Sequence, residues 1–252
     1  MSCAFVVQLF FRRMTIIYLP STDSTNLEAR RLIQSKSCNN HDVVQSGFQT
    51  LGRGQQGNSW YSLADENLLF SIVNFPEHFE VARFFELTQV ASVAVVKYLF
   101  SRGIRAQIKW PNDILVNRKK IAGILIENTM MGNYISDSIT GIGLNVNASV
   151  FPLGLQQKST SMLLETSLEY STSDELNRFM EFYSAAMRYD NFRLRRLYHK
   201  HLFAMNQKVC FRHGDIVKTA INAGVTDNGQ IIMIMPDGTN QYFWFKEIEW
   251  LL

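Results

Sequence analysis

The stretch at residues 109–127, K-W-P-N-D-I-L-V-N-R-K-K-I-A-G-I-L-I-E, decides the fold that we predict for this chain. Two apolar runs, at 114–116 and 121–126, flank a polar connector, and this pattern is typical of a β-hairpin. Pro111 fits only at the start, edge or bulge of a strand, and Gly123 inside the second run lets another backbone or a ligand come close. A plain surface hairpin needs neither residue. We therefore predict that this hairpin forms the floor of a binding site.

The composition of the chain is that of one large folded domain, or of one domain with a small appendage. Of the 252 residues, 46% are hydrophobic and 12% are aromatic, which is enough for a sizeable core and argues against disorder. The formal net charge of +3, without a long Lys/Arg block, gives no indication of a nucleic-acid partner. Cys3, Cys38 and Cys210 lie far apart without metal-ligand spacing, so we expect free thiols in a reducing compartment.

The N-terminal residues lack the pattern of a secretory signal. Residues 4–11 are apolar, but the positive charges of Arg12 and Arg13 follow this run, whereas a signal places them before it. No apolar run approaches the ~18 residues that a membrane-spanning helix requires. We therefore expect a cytoplasmic protein with no membrane partner. A cleaner strand opens at Met14, and we predict that residues 1–13 are a dispensable extension.

Ser24, Thr25 and Asn26 stand where a helix is predicted to begin. Thr25 and Glu28 have the spacing of a capping box ahead of an apolar helical face. Hydroxyls, an amide and free backbone N–H groups at a helix N-terminus suit a polar or anionic ligand group. From these residues alone, a capped helix without a ligand is the simpler interpretation.

Gly52, Gly54 and Gly57 follow a predicted strand at 42–49 and match the pattern G-x-G-x-x-G. As a dinucleotide fingerprint the match is weak, because a new strand at 68–75 follows where a helix is required. A flexible loop that contains Arg53 remains, and its backbone N–H groups can wrap an anion. A mobile surface turn is the alternative, and Trp60 behind it is of a type that more often packs in the core.

A further strand, at 138–147, contains Gly141-x-Gly143-x-Asn145. These glycines also permit close approach, although a bend in a core strand explains them equally well. The remaining residues predict structure only. A second capping box at Thr172 and Glu175 precedes an apolar helical stripe, and another helix is expected over 191–203. Short strands are then predicted at 208–212, 216–220, 230–235 and 241–245.

Four of these segments, taken together and in this order, resemble the biotin–protein ligases. They are Ser24-Thr25-Asn26; Gln49 with G-R-G-x-x-G-x-x-W at 52–60; K-W-P-N-D at 109–113 with K-x-A-G-I-L-x-E at 120–127; and G-x-G-x-N at 141–145. The resemblance is dense over residues 15–147 and thin elsewhere. It implies an α+β fold, a mixed or antiparallel sheet packed with helices like that of class II synthetases, over residues 1–204. A small SH3-like β-barrel would then occupy residues 205–252.

The resemblance also implies an ATP-dependent ligase. Such enzymes form biotinyl-5′-AMP from biotin and ATP, and then transfer biotin to a lysine of a biotin carboxyl carrier protein. Because one anion attacks another in the first step, the protein must supply positive charge and orientation. Arg53, Lys109 and Lys120 offer that charge. No Ser/His/Asp or Cys/His constellation presents itself, which agrees with direct transfer.

Site residues follow from the same resemblance. Biotin would contact Ser24, Thr25, Asn26, Gln49, Gly52, Arg53, Lys120 and Gly123. ATP would contact Arg53, Gly54, Gln55, Gly57, Trp60, Lys109, Asn112 and Asn145. The predicted catalytic residues are Lys120, Arg53 and Asp113. No protein ligand is assigned to a metal, and Mg²⁺ would arrive on the ATP phosphates.

Two residues keep open questions at this point. Asp113 is left with three alternative roles: contact with the metal ion, orientation of Lys120, or deprotonation of the incoming lysine. Gln55 stands where many biotin–protein ligases carry a second loop Arg, and one charge fewer would weaken retention of the adenylate.

Three alternatives to biotin ligation stay open. Lipoate–protein ligases share the implied fold but lack the K-W-P-N-D pattern. A biotin-responsive transcriptional regulator needs an N-terminal helix-turn-helix, and fewer than 20 residues precede the first catalytic strand, so this class is weaker. A non-enzymatic module would bind biotin without releasing pyrophosphate. Monomer and homodimer are both compatible with the sequence.

Overall fold

The structure is a computed structural model that describes residues 14–251. The predicted dispensable extension at residues 1–13 lies outside the described residues, as does Cys3. The first part of the chain forms seven strands and the first two helices. In chain order they are β1 (Ile16–Thr22), α1 (Thr25–Gln34), β2 (Val43–Gln49), β3 (Asn67–Asn74), α2 (Phe85–Ser101), β4 (Gln107–Lys109), β5 (Asp113–Val116), β6 (Lys119–Met131) and β7 (Tyr134–Asn145).

These strands form one mixed sheet in the order β1-β2-β3-β7-β6-β5-β4. β1 and β2 are parallel, and the other neighbours are antiparallel. Three further helices follow: α3 (Met162–Thr166), α4 (Thr172–Met187) and α5 (Asn191–His201). The predicted α+β fold with a mixed sheet packed against helices is confirmed.

The main core lies on one face of this sheet. Side chains alternate between the two faces of a strand, so Leu68, Phe70 and Ile72 of β3 point together into the helices. Phe179 of α4 packs edge-on against Phe70 with ring centroids 5.1 Å apart. The segment Val81–Ser101, which ends with α2, is long and apolar enough to cross a membrane by length and composition. However, 67% of its apolar 18-residue window is buried inside the protein, and this burial accounts for its apolar character as a core helix.

The opposite face of the sheet carries α1 and, beside it, small residues. Ala29 of α1 packs on a second, smaller apolar cluster with Val44, Val73 and Ile139. Beyond this cluster the strands present glycines: Gly123 of β6 lies directly across from Gly143 of β7. A depression therefore opens on this face, next to the N-terminus of α1.

The hairpin at residues 109–127 has the predicted form. β5 and β6 pair antiparallel around Asn117 and Arg118, whose φ angles of 49° and 65° are those of a two-residue type I′ turn. β4 and β5 pair as well, so residues 110–112 form a second turn at the sheet edge. The predicted strand at 104–110 is shorter than expected, since only Gln107–Lys109 pairs.

The C-terminal residues form a second sheet, ordered β11-β10-β9-β8-β12, from β8 (Lys208–His213), β9 (Ile216–Val225), β10 (Ile231–Ile234), β11 (Asn240–Phe243) and β12 (Ile248–Leu251). The four predicted strands are present, and β12 was missed because its four residues carry no clear alternation. Buried Phe211 and Met233 of this sheet belong to the same apolar cluster as the main core. The predicted domain boundary at 204/205 stays a prediction.

Both predicted capping boxes are wrong in their details. Ser24, not Thr25, is the N-cap of α1, and Thr25 instead bonds to Gln49. Ser171 caps α4, where its hydroxyl accepts a hydrogen bond from Asp174 N–H. Glu175 turns inward, where Tyr98 and Arg102 donate hydrogen bonds to its carboxylate. The side chains of Thr25 and Glu175 thus form hydrogen bonds with residues distant in sequence, rather than with the helix N-termini.

Candidate active site

A cleft of about 520 Å³ opens over the glycine-rich face of the sheet. Its walls come from the N-terminus of α1, the loop after β2, the turn between β4 and β5, and the C-terminal sheet. Most residues predicted from the sequence line it: Ser24, Thr25, Asn26, Gln49, Arg53, Gly54, Gln55, Trp60, Lys109, Asn112, Asp113, Lys120 and Gly123. Segments separated by more than 90 residues in sequence thus meet at one cavity.

The floor of the cleft is a pair of glycines under an indole ring. A Cβ on Gly143 would lie 2.5 Å from the Trp60 ring, and a Cβ on Gly123 would lie 2.8 Å from it. Only glycine at both positions lets the ring approach the strands so closely. The Lys120 ammonium lies 5.3 Å from the centroid of the same ring. Trp60 is therefore a residue of the cleft wall, rather than an ordinary core residue.

A buried polar cluster closes one end of the cleft. Gln49 Oε1 accepts hydrogen bonds from Thr25 N–H at 2.7 Å and from the Thr25 hydroxyl at 3.1 Å. The hydroxyl of Ser71, on β3, lies 2.8 Å from that of Thr25 and 2.6 Å from Asn26 Oδ1. A Cβ at Gly141 would lie 2.1 Å from Asn26 Oδ1, so glycine is needed beneath this amide. The cluster offers donors and acceptors to a polar, uncharged ligand group.

The cluster is anchored from outside by an ion pair. Asp23 accepts a hydrogen bond from Ser24 N–H at 2.7 Å and pairs with Arg31, eight residues further along the chain. Hydrogen bonding from Arg31 lowers the pKa of Asp23 to about 2. The carboxylate is therefore ionised at neutral pH and holds the first residue of the polar cluster in place.

The other end of the cleft is cationic. Asp113 bridges two lysines: its Oδ1 lies 2.5 Å from Lys120 Nζ, and its Oδ2 lies 3.6 Å from Lys109 Nζ. All three side chains are partly exposed to the cleft, so an incoming anion can reach both ammonium groups. Asn112 braces this group, because its amide donates to Ile124 C=O at 2.7 Å. Two cations and one anion leave a net positive charge at this end.

Glu127 connects the polar cluster to Arg53 of the loop after β2, and no role was predicted for it. Its Oε2 accepts a hydrogen bond from Asn26 at 2.8 Å, and its Oε1 lies 3.0 Å from Arg53 Nη2. Glu127 was visible as the last letter of K-x-A-G-I-L-x-E. Its alternation with Gly123 and Leu125, which line the cleft, was the signal that it lies on the same face of β6. Ser71 was missed because nothing near it in sequence marks a site.

Three predicted contacts do not line the cleft. Gly52 lies at the base of the loop, where its C=O accepts a hydrogen bond from Trp60 N–H at 2.8 Å. Gly57 has a φ of +84° and serves the turn at the loop tip. Asn145 is buried, and its amide donates to Thr160 C=O at 2.9 Å. Their roles as ligand contacts stay predictions, whereas the structural uses of all three are evident.

The described residues, 14–251, contain no group of three or more His, Cys, Asp or Glu side chains that could hold a metal ion. Both oxygens of Asp113 face lysines. These residues therefore fit an ion that arrives on a ligand's phosphates better than an ion held by the protein alone. The C-terminal sheet and its connecting turn also contribute residues to the lining of the cleft that were not predicted: Phe245, Lys246, Ile248, Glu249 and Trp250.

The fold and the cleft define an α+β domain whose cleft is polar at one end and cationic at the other. Residues 18–145 match the biotin/lipoate A/B protein ligase family, and the chain belongs to that family.

Individual relatives agree with this assignment. The chain is 35% identical over 150 residues to the bifunctional ligase/repressor BirA of Bacillus spizizenii, covering 58% of this chain and 46% of that protein. It thus spans about half the length of the first curated relatives that it matches. It is 27% identical over 231 residues to the biotin–[acetyl-CoA-carboxylase] ligase of Paracoccus denitrificans, covering 87% and 94% of the two chains.

Among solved structures, the biotin protein ligase of Aquifex aeolicus in complex with biotin and ATP superposes with a TM-score of 0.77. The identity is 22%, and the match covers 93% of this chain and 97% of that one. This similarity shows the fold of the chain.

Proposed function

We propose that this protein is an ATP-dependent biotin–protein ligase. It would form biotinyl-5′-AMP from biotin and ATP, release pyrophosphate, and then transfer biotin to a specific lysine of a biotin carboxyl carrier protein. The observation that carries the proposal is the cleft itself. It places a buried polar cluster, Thr25, Asn26 and Gln49, at one end and the Lys109–Asp113–Lys120 group at the other.

The polar cluster suits the ureido ring of biotin. That ring carries one carbonyl and two N–H groups, which need hydrogen-bond partners when they leave water. Thr25, Asn26, Gln49 and Ser71 provide hydroxyl and amide groups at that end. The dithiolane ring of lipoate is apolar and would form no hydrogen bonds with these groups. The cluster therefore favours biotin over lipoate as the acid.

The cationic end suits the chemistry of the first step. A carboxylate oxygen of biotin attacks the α-phosphorus of ATP, the bond to the β-phosphate breaks, and its electron pair leaves on pyrophosphate. Lys120 would hold the carboxylate and the α-phosphate together, because its ammonium lowers the repulsion between the two anions. Asp113 would hold the Lys120 ammonium in position between the carboxylate and the α-phosphate. Arg53 would close over the adenylate from the loop and shield it from water.

The second step needs only access and orientation. The amine of the carrier lysine attacks the acyl carbon of the adenylate, and AMP leaves with the electron pair of the C–O bond. No covalent enzyme intermediate is required, which fits the absence of an activated Ser or Cys among the residues that line the cleft. ATP would enter as its magnesium complex, and the protein would recognise the phosphates rather than the ion.

Pyrophosphate release tests the proposal directly. The purified protein is incubated with ATP and either biotin or lipoic acid, and pyrophosphate is measured with and without a biotin carboxyl carrier domain. We expect release with biotin alone, and labelling of the carrier lysine when the domain is added. Release driven only by lipoic acid would support the lipoate alternative, and biotin binding without release would support a non-enzymatic module. Monomer or homodimer, and the cytoplasmic location, stay predictions.

A further inference from the structure

One carboxylate joins the polar end of the cleft to the glycine loop at residues 52–57. Glu127 of β6 lies 2.8 Å from Asn26 Nδ2 through its Oε2, and 3.0 Å from Arg53 Nη2 through its Oε1. Asn26 belongs to the first turn of α1, whereas Arg53 belongs to the glycine loop. Both residues line the cleft, although Glu127 itself does not. Its two oxygens thus hold two cleft residues that come from different parts of the chain.

Glu127 fixes the orientation of the Asn26 amide. Asn26 Nδ2 donates to Glu127 and approaches the C=O of Leu125 at 3.3 Å, and an ionised carboxylate and a carbonyl can only accept. The opposite end of the amide must therefore be the oxygen, which accepts a hydrogen bond from the Ser71 hydroxyl at 2.6 Å. Gly141 lets the amide reach β6, because a Cβ there would clash with Asn26 Oδ1. Asn26 thus has one orientation in which all of these partners are satisfied.

Arg53 brings the only side-chain charge of the glycine loop to the cleft. The sequence has no other Lys or Arg between Gly52 and Trp60, so the position of this one guanidinium decides where the charge lies. Glu127 pairs with its Nη2, and a guanidinium has several N–H donors, so others remain for an anionic ligand. Glu127 therefore positions the guanidinium without occupying all of its donors.

We propose that Glu127 is a positioning residue that couples the binding of biotin to the binding of the nucleotide. The proposal rests on the proposed function for the identity of the two ligands. Biotin at the polar end contacts Asn26 and holds its amide, and the amide in turn holds the Glu127 carboxylate in the observed position. Arg53 is then in place before ATP enters, so less conformational freedom is lost when the nucleotide binds.

The ion pair between Glu127 and Arg53 is of a kind that a ligand can strengthen. The two side chains are 30% and 42% exposed, and partly exposed pairs are weak when they act alone. The pair is therefore a preference of the glycine loop, rather than a permanent brace of the fold. Because such coupling is reciprocal, the nucleotide raises the affinity for biotin by the same factor as biotin raises the affinity for the nucleotide. Glu127 acts through Asn26 and Arg53 and contacts no reacting atom.

Calorimetry on the full chain with biotin and α,β-methylene-ATP, which cannot release pyrophosphate, measures this coupling without turnover. In the wild type, we expect bound biotin to raise the affinity for the analogue at least about fivefold, and Glu127→Gln should reduce this factor to about twofold or less. Glutamine still accepts the hydrogen bond from Asn26 but has no charge to hold Arg53, so the thermal midpoint should stay that of the wild type. Glu86→Gln, which removes a carboxylate paired with Arg83 outside the cleft, is the matched control and should keep the wild-type factor.

Arg53→Gln tests the same link from the exposed side of the ion pair, and it carries the test if Glu127→Gln lowers the thermal midpoint. It should also remove the coupling, and the double variant should show no further loss, because the two residues act as one unit. A wild-type factor that persists in either variant, or a wild type without coupling, would overturn the role of Glu127. If the coupling depends on Glu127 while biotin and ATP yield no pyrophosphate, the positioning role stands and the proposed ligase function fails. Pyrophosphate release with an unchanged factor in Glu127→Gln gives the reverse result.

Discussion

Lys120 Nζ lies 2.5 Å from one carboxylate oxygen of Asp113, at the point where β5 and β6 face the cleft. The second oxygen of Asp113 lies 3.6 Å from Lys109 Nζ. A carboxylate engaged by two ammonium groups is poorly placed to act as a base or to ligate a metal directly. Of the three roles left open by the sequence, orientation of Lys120 is the one that these distances support.

Lys120→Met should abolish adenylation while it preserves the fold. Methionine keeps much of the side-chain length, whereas the ammonium that offsets two anions is lost, so we expect pyrophosphate release to fall about 100-fold or more. Lys119→Met is the matched control, because Lys119 is exposed and does not line the cleft. Near-normal release by Lys120→Met, with an unchanged thermal midpoint, would contradict the assigned role.

Asp113→Asn should lower kcat about tenfold, because the Lys120 ammonium would no longer be held in position by a carboxylate. The amide is nearly isosteric with the carboxylate, so the fold should persist. In the Lys120→Met background the same substitution should cost little more, because two residues that act as a unit are not additive. Independent, multiplying effects of the two substitutions on pyrophosphate release would argue that Asp113 acts on the substrate itself.

Gly143→Ala should displace Trp60 from the floor of the cleft. The added Cβ would lie 2.5 Å from the indole and 2.8 Å from its Nε1, so the ring must move. We expect a shift in tryptophan fluorescence and a loss of biotin or ATP affinity of at least about tenfold, or ~1.4 kcal/mol. The double variant Gly143→Ala/Trp60→Ala removes the clash and serves as the control for the fluorescence signal. Unchanged affinity in the single variant would show that the ring position does not matter for ligand binding.

Gln55→Arg should slow the leakage of biotinyl-adenylate into solution. Gln55 lines the cleft at the start of the loop turn, so a guanidinium there adds a positive charge close to the bound intermediate. The expected gain is roughly twofold to fivefold in retention, the effect of one partly exposed charge. Gln55→Met tests side-chain size without charge. Release that is unchanged or faster in Gln55→Arg, measured without a carrier domain, would refute the charge argument.

Stability should fall as the pH drops below about 6.5, the ordinary pKa of histidine. Burial lowers the pKa of His41, His199 and His201, so the folded protein binds fewer protons than the unfolded chain in this range. His199 Nε2 accepts a hydrogen bond from Val225 N–H at 2.9 Å, which a protonated ring would lose. This stabilisation is complete above pH ~6.5 and is lost progressively below it.

His199→Gln should flatten the decline in unfolding free energy between about pH 7.5 and 5, as measured by denaturant titration. Lys200→Gln, at the neighbouring position on α5, is the control and should keep the slope of the wild type. An identical slope in His199→Gln would show that this ring does not couple folding to pH.

The sequence alone determined the elements and most of the residues that line the cleft. Apolar runs placed β2, β3, β5, β6 and β7, and the glycines at 123 and 143 marked where another group could approach the strands closely. The β5–β6 turn followed from its polar residues. These features could be predicted because strand period, turn chemistry and glycine clearance depend on residues that are close together in the chain.

The tertiary structure alone decided which partners these residues take. Thr25 and Glu175 were predicted to take part in capping boxes. Instead, the Thr25 hydroxyl donates a hydrogen bond to Gln49, 24 residues away. Glu175 accepts hydrogen bonds from Arg102 and from Tyr98, which is 77 residues away. Local sequence patterns also could not predict that Glu127 contacts Arg53 and Asn26, or that Lys246 of the C-terminal sheet lines the cleft. A buried polar group takes the partner that packing places within hydrogen-bond distance, because leaving it unpaired costs more than a local cap gains.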